Sequence, residues 1–143
     1  RRLNAFIQTD EYFSIPPDDS ASEGLELLAA RYSLHAVTGR PYFVESATRR
    51  WAEQHLPNVF TDIIHTSHYL EGHAKRVTKL EICQDLAAIA LIDDLPDHLH
   101  PLVGTATAPI LHGEHPWSSP ENLHPDIVKT PQWSDVVNYF NER

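Results

Sequence analysis

The chain has 143 residues, 41% of them hydrophobic and 22% charged, a composition that builds one folded domain with a core. Its formal net charge of −9 disfavours nucleic acid and anionic lipid as partners, and no apolar run approaches the ~20 residues of a membrane span. The single cysteine, Cys83, cannot form an internal disulfide, which fits an intracellular location, in the cytoplasm or in a reducing organelle lumen. There is no methionine and the chain opens Arg1-Arg2, so an upstream segment is expected; no basic stretch followed by an apolar one marks a retained signal peptide.

In chain order, residues 1–17 carry scattered apolar side chains, among them Leu3, Phe6, Ile7, Tyr12, Phe13 and Ile15, and Pro16-Pro17 ends any short helix there. This stretch reads as a linker or the tail of a cap region, and residues 18–143 as the core domain. Asp18, Asp19 and Ser20 are candidate N-caps for a helix through Ala30, with Leu25 and Leu28 on one face. Ser33 to Val37 reads as a short buried strand, stopped by Thr38-Gly39-Arg40-Pro41. A helix over about 42–55 follows, with Phe43, Ala47 and Trp51 at i, i+4 and i+8, and Pro57 ends it. Asp62 to Thr66 is a second strand, and the polar stretch from Ser67 to Val77 a loop.

Lys79 to Leu86 predicts a short helix with Ile82, Cys83 and Leu86 inward, which makes Cys83 a buried structural thiol. Ala87 to Ile92 is a nearly continuous apolar strand ending in Asp93-Asp94, the pattern of a strand covered on both faces. A weaker strand spans Thr107 to His112, a proline-containing loop Pro116 to Pro131, and a last helix Trp133 to about Asn141, with Trp133, Val136, Val137 and Phe140 at helical spacing. The alternation predicts an α/β domain, a three-layer, Rossmann-like parallel sheet with helices on both faces.

In such sheets ligands collect beyond the carboxyl ends of the strands. Thr38-Gly39-Arg40 and Asp93-Asp94 fall at such ends, and Lys79 opens the helix before the longest strand. A hydroxyl with nearby backbone N–H groups suits phosphate oxygens, a lysine neutralises them, and adjacent carboxylates suit Mg²⁺. Singly, each feature has a plain reading: a turn, a solvated lysine, an acidic strand end.

Together, in this order, they resemble the haloacid dehalogenase superfamily. Thr38-Gly39-Arg40-Pro41 is similar to its second motif, Lys79 within Thr78-Lys79-Leu80-Glu81-Ile82-Cys83 to its third, and Leu91-Ile92-Asp93-Asp94 to its fourth. Residues 48–60, with Trp51, Pro57 and Phe60, and the segments Ile110-Leu111-His112-Gly113 and His115-Pro116-Trp117, followed by Trp133, resemble its C-type 5′-nucleotidase branch. The resemblance implies Mg²⁺-dependent hydrolysis of phosphate monoesters through an aspartyl-phosphate. Thr38 and Lys79 would be catalytic and would bind phosphate with Gly39 and Arg40, while Asp93 and Asp94 would hold the metal. The family's first motif, Asp-x-Asp-x-Thr or Val at the end of an apolar central strand, has no counterpart by this reading, since Asp18-Asp19 follows Pro16-Pro17 and reads as a helix cap. The nucleophile strand is therefore expected to be missing, or supplied by an upstream segment or another chain.

Histidines form two short groups, His98 with His100 and His112 with His115, which could bind zinc or simply be solvated. His65, His68 and His73 lie near the expected pocket rim, and Trp117 suits packing over the sheet edge. Three functions stay open: a phosphohydrolase whose nucleophile lies outside this chain, a noncatalytic structural or interaction subunit, and a module that binds phosphate or a nucleotide through Thr38 and Lys79 without turnover. The chain alone is expected to be inactive, with a phosphorylated small molecule as its ligand.

Overall fold

The computed structural model describes residues 4–8, 19–38, 45–65, 78–113 and 122–142. Six strands run in chain order as β1 (Asn4–Gln8), β2 (Ser33–Thr38), β3 (Phe60–His65), β4 (Ala90–Asp93), β5 (Ala108–His112) and β6 (Val128–Thr130). They form one sheet in the order β3-β2-β1-β4-β5-β6, every neighbouring pair parallel. The helices are α1 (Asp19–Ala29), α2 (Glu45–His55), α3 (Lys79–Asp85), α4 (Pro96–Leu99) with a 3₁₀ turn at His100–Leu102, and α5 (Trp133–Asn141).

The largest departure from the sequence reading is at the centre of the sheet. Residues 4–8, read as part of a linker or cap tail, are the central strand. Ala5 pairs in register with Leu34 of β2 and with Ala90 of β4, and Ile7 with Ala36 and Ile92. The gap that was to be filled from elsewhere is filled from within the chain, and the backbone groups along the inner edges of β2 and β4 find their partners there. β6 and α4 were likewise read as loop, and the strand expected to open at Ala87 begins only at Ala90. Ala87 stands at φ 51°, in the tight turn that leaves α3.

Alternation along the strands divides the core into two layers. Leu34, Ala90, Ile92 and Ile110 face α1 and α5, packing with Leu25, Leu28, Trp133, Val136 and Phe140. Val37, Leu91 and Leu111 face the other way, against Ile82 and Cys83 of α3 and against Leu99 and Leu102. Each fully buried large side chain of this kind contributes about 2 kcal/mol of transfer free energy. The α2 helix turns a different stripe inward from the one expected: Thr48 and Ala52 are buried and Ala47 is exposed. Small side chains at i and i+4 let the helix lie close to Ala36 and Ile63. Phe43 lies outside the described residues.

Candidate functional site

All six strands point the same way, so their carboxyl ends make a single edge. Thr38 ends β2, Gln8 ends β1 and Asp93 ends β4, in that spatial order. Gln8 pairs in register with Val37, one residue before Thr38, and Ile7 pairs with Ile92, one residue before Asp93. Thr38 and Asp93 thus stand at the same edge with the central strand between them.

Local sequence puts Lys79 at this edge. Thr78 caps α3: its Oγ1 accepts from the Glu81 backbone N–H at 3.1 Å, and Glu81 Oε1 accepts from the Thr78 backbone N–H at 3.4 Å. This capping box satisfies N–H groups that the first helical turn leaves without an intrahelical partner, so α3 starts at Lys79. On β4, alternation sends Asp93 to the same side as Leu91, the side that α3 covers. Lys79 Nζ donates to Asp93 Oδ2 at 2.9 Å, with the two side chains 9% and 0% exposed.

Two further contacts fix this carboxylate. His98 Nδ1 lies 3.0 Å from Asp93 Oδ2, and the Leu95 backbone N–H donates to Oδ1 at 3.0 Å. Pro96 starts α4, whose single turn folds His98 back over the acid. Burial alone would raise the Asp93 pKa, but hydrogen bonds from His98 and Lys79 and the charge of Lys79 outweigh it and hold the carboxyl below its ordinary value. Cys83, inward on α3, shows the opposite balance. Burial pushes its thiol up to about 12, opposed by Lys79 and reinforced by Asp93.

The structure therefore brings together Lys79, Asp93 and His98, and sets Thr38 and Gln8 along the same edge. Asp94 is half-buried beside Asp93. Gly39 and Arg40 lie outside the described residues, as do His68, His73, His115 and Trp117. The histidine pairs were open to zinc binding or to plain solvation; in the structure His98 engages Asp93, His100 Nε2 accepts from the His124 backbone N–H at 3.4 Å, and the His112 and Trp133 rings lie with centroids 4.6 Å apart. The proline at the first helical position after the acid was the available signal that His98 returns to Asp93.

The Mg²⁺ site implied by the sequence is not assembled among the described residues. Among the described residues no group of three or more His, Cys, Asp or Glu side chains could hold a metal ion. Asp93 Oδ2 already meets Lys79 and His98, and Oδ1 already accepts from Leu95. A carboxylate oxygen has two lone pairs, so Oδ2 has none left for a cation.

This parallel sheet, clothed by helices on both faces and carrying polar residues at its carboxyl edge, is a Rossmann-like α/β fold. The chain is similar in structure to a D,D-heptose 1,7-bisphosphate phosphatase from Burkholderia thailandensis, with a TM-score of 0.65 over 99% of this chain and 100% of that one. The two are 10% identical in sequence, so the likeness is one of fold. No family model matches the chain, and no curated protein matches it. Among the described residues no helix is long and apolar enough to cross a membrane.

Proposed function

We propose that this chain is a phosphate-recognition domain of the haloacid dehalogenase type, which binds the phosphoryl group of a phosphorylated small molecule at the carboxyl edge of its sheet. The observation that carries this reading is the buried Lys79–Asp93 pair beside the end of the central strand. An ammonium has three N–H donors; Asp93 takes one and fixes the direction of the others. Held within a rigid frame, the lysine loses little freedom when an anion arrives, and its low exposure strengthens the attraction. Thr38, buried at the end of β2, is the candidate hydroxyl on the far side of the central strand.

In this reading Lys79 binds and neutralises phosphate oxygens, Asp93 and His98 position Lys79, and no step runs through a metal. The likeness of residues 48–60 to the C-type 5′-nucleotidase branch makes a nucleoside monophosphate the first ligand to try. The test is a thermal-shift panel of nucleoside monophosphates, sugar phosphates and their dephosphorylated counterparts. Stabilisation by the phosphorylated members only, abolished in Lys79→Met, supports the reading. Equal stabilisation by the dephosphorylated compounds counts against it.

A further inference from the structure

We infer that the groove between α1 and α5 is a docking site for a basic amphipathic helix of another protein. The inference does not depend on the phosphate site: α1 and α5 cover one face of the sheet, and α3, which starts at Lys79, covers the other.

Helix packing makes the groove. Gly24 of α1 lies against Trp133 of α5, and a Cβ added at Gly24 would come within 3.1 Å of the indole. At this close contact a groove of about 300 Å³ opens, lined by Ser20 and Leu27 from α1 and by Val137 and Asn138 from α5. Ser20 and Leu27 are two helical turns apart on one face, which gives the groove a length of about 10 Å. Leu27 is 56% exposed, and among the described residues no other large apolar side chain is exposed. A lone exposed leucine is ordinary on a protein surface. This one borders a concavity whose lining includes Trp133 and Val137, so apolar surface is gathered where a partner side chain can enter. A groove between two helices suits an amphipathic helix that lays its apolar stripe along it.

Charge selects the occupant. The two helices carry Asp19, Glu23, Glu26 and Asp135, and neither contains a Lys, Arg or His. Glu23 lines the groove itself, and Glu26 stands exposed beside Leu27. Arg31, just beyond α1, donates to the Phe140 carbonyl and to Asn141 Oδ1. A groove bordered in this way attracts a helix whose apolar stripe is flanked by Lys or Arg. A second copy of this chain, with its net charge of −9, would bring acids against acids, so the same border disfavours self-association. The short groove places the complex in the weak, transient class.

The experiment titrates the whole chain, by calorimetry, with a synthetic Leu/Lys helix of about 18 residues in which the leucines recur at i, i+3, i+4 and i+7. The controls are the same composition in scrambled order and the same helix with Glu in place of Lys. Wild type should bind the Leu/Lys helix saturably, less tightly as salt is raised, and should bind both controls about tenfold or more weakly. Leu27→Glu, shown to be folded by circular dichroism, should lose about tenfold or more in affinity. Glu23→Lys combined with Glu26→Lys should reverse the preference, towards the Leu/Glu helix. Equal binding of the scrambled peptide, or unchanged affinity in either folded variant, overturns the inference, because the attraction is then that of the net charge alone. Absence of binding by the wild type overturns it as well. So does a wild-type dimer in sedimentation that Leu27→Glu dissociates, since a second copy then occupies the groove.

Discussion

Lys79 and Asp93, fourteen residues apart in sequence, meet at 2.9 Å with the carboxylate wholly out of solvent. A buried ion pair is weak evidence of stability taken as a whole, but breaking one leaves a buried charge without its partner. Asp93→Asn should therefore destabilise the domain by about 3 kcal/mol, and Lys79→Met by a comparable amount, as measured by urea unfolding. The double variant should cost less than the sum of the two. Strict additivity in this cycle would mean that the pair does not interact.

The same carboxylate sets an acid limit on stability. The folded-state pKa of Asp93 lies below its ordinary value of 3.8: burial raises it, and the His98 and Lys79 interactions more than reverse that. A depressed pKa contributes stability that is fully present above the unfolded value and is lost as pH falls through the folded one. Unfolding free energy should thus fall below about pH 4, and Asp93→Asn should flatten that part of the curve. An unchanged slope in the variant would contradict the assignment.

Burial at 1% exposure and a thiol pushed up to about 12 make Cys83 unreactive in the folded protein. Iodoacetamide at pH 8 should leave it unmodified under native conditions and label it fully in denaturant, as read by intact mass. Rapid native labelling would show that α3 does not hold the thiol inward.

The central strand should be indispensable. β1 is hydrogen-bonded to a neighbour on each side, so a proline at Ile7 removes a backbone donor from the middle of the sheet. Ile7→Pro should cost about 3 kcal/mol or more, and removal of residues 1–8 should abolish cooperative unfolding. A truncated chain that unfolds with an unchanged midpoint would show that the sheet closes without this strand.

Much of this was readable from composition and spacing. β4 was recognisable because a strand covered on both faces needs apolar residues at every position, and α5 because Trp133, Val136 and Phe140 mark one helical face. Lys79 and Asp93 stood out through their places at a helix start and a strand end. β1 escaped because its apolar run is only Ala5-Phe6-Ile7, too short to show a period, and its stability comes from pairing with residues ~30 and ~85 positions away. β6 escaped for the same reason, being a three-residue edge strand. His98 was passed over because histidines in a loop read as solvated or as metal ligands, and only the turn of α4 brings this one back to Asp93.

The most direct test of phosphate recognition by Lys79 is a calorimetric titration of the whole chain with inorganic phosphate, comparing wild type with Lys79→Met after both are shown to be folded. The account predicts saturable binding to the wild type, weakened by about tenfold or more in the variant, since a hydrogen bond to a charged group contributes about 1.5–3 kcal/mol. Equal phosphate affinity in the two proteins would contradict it, because the anion would then be bound without the lysine that defines the site.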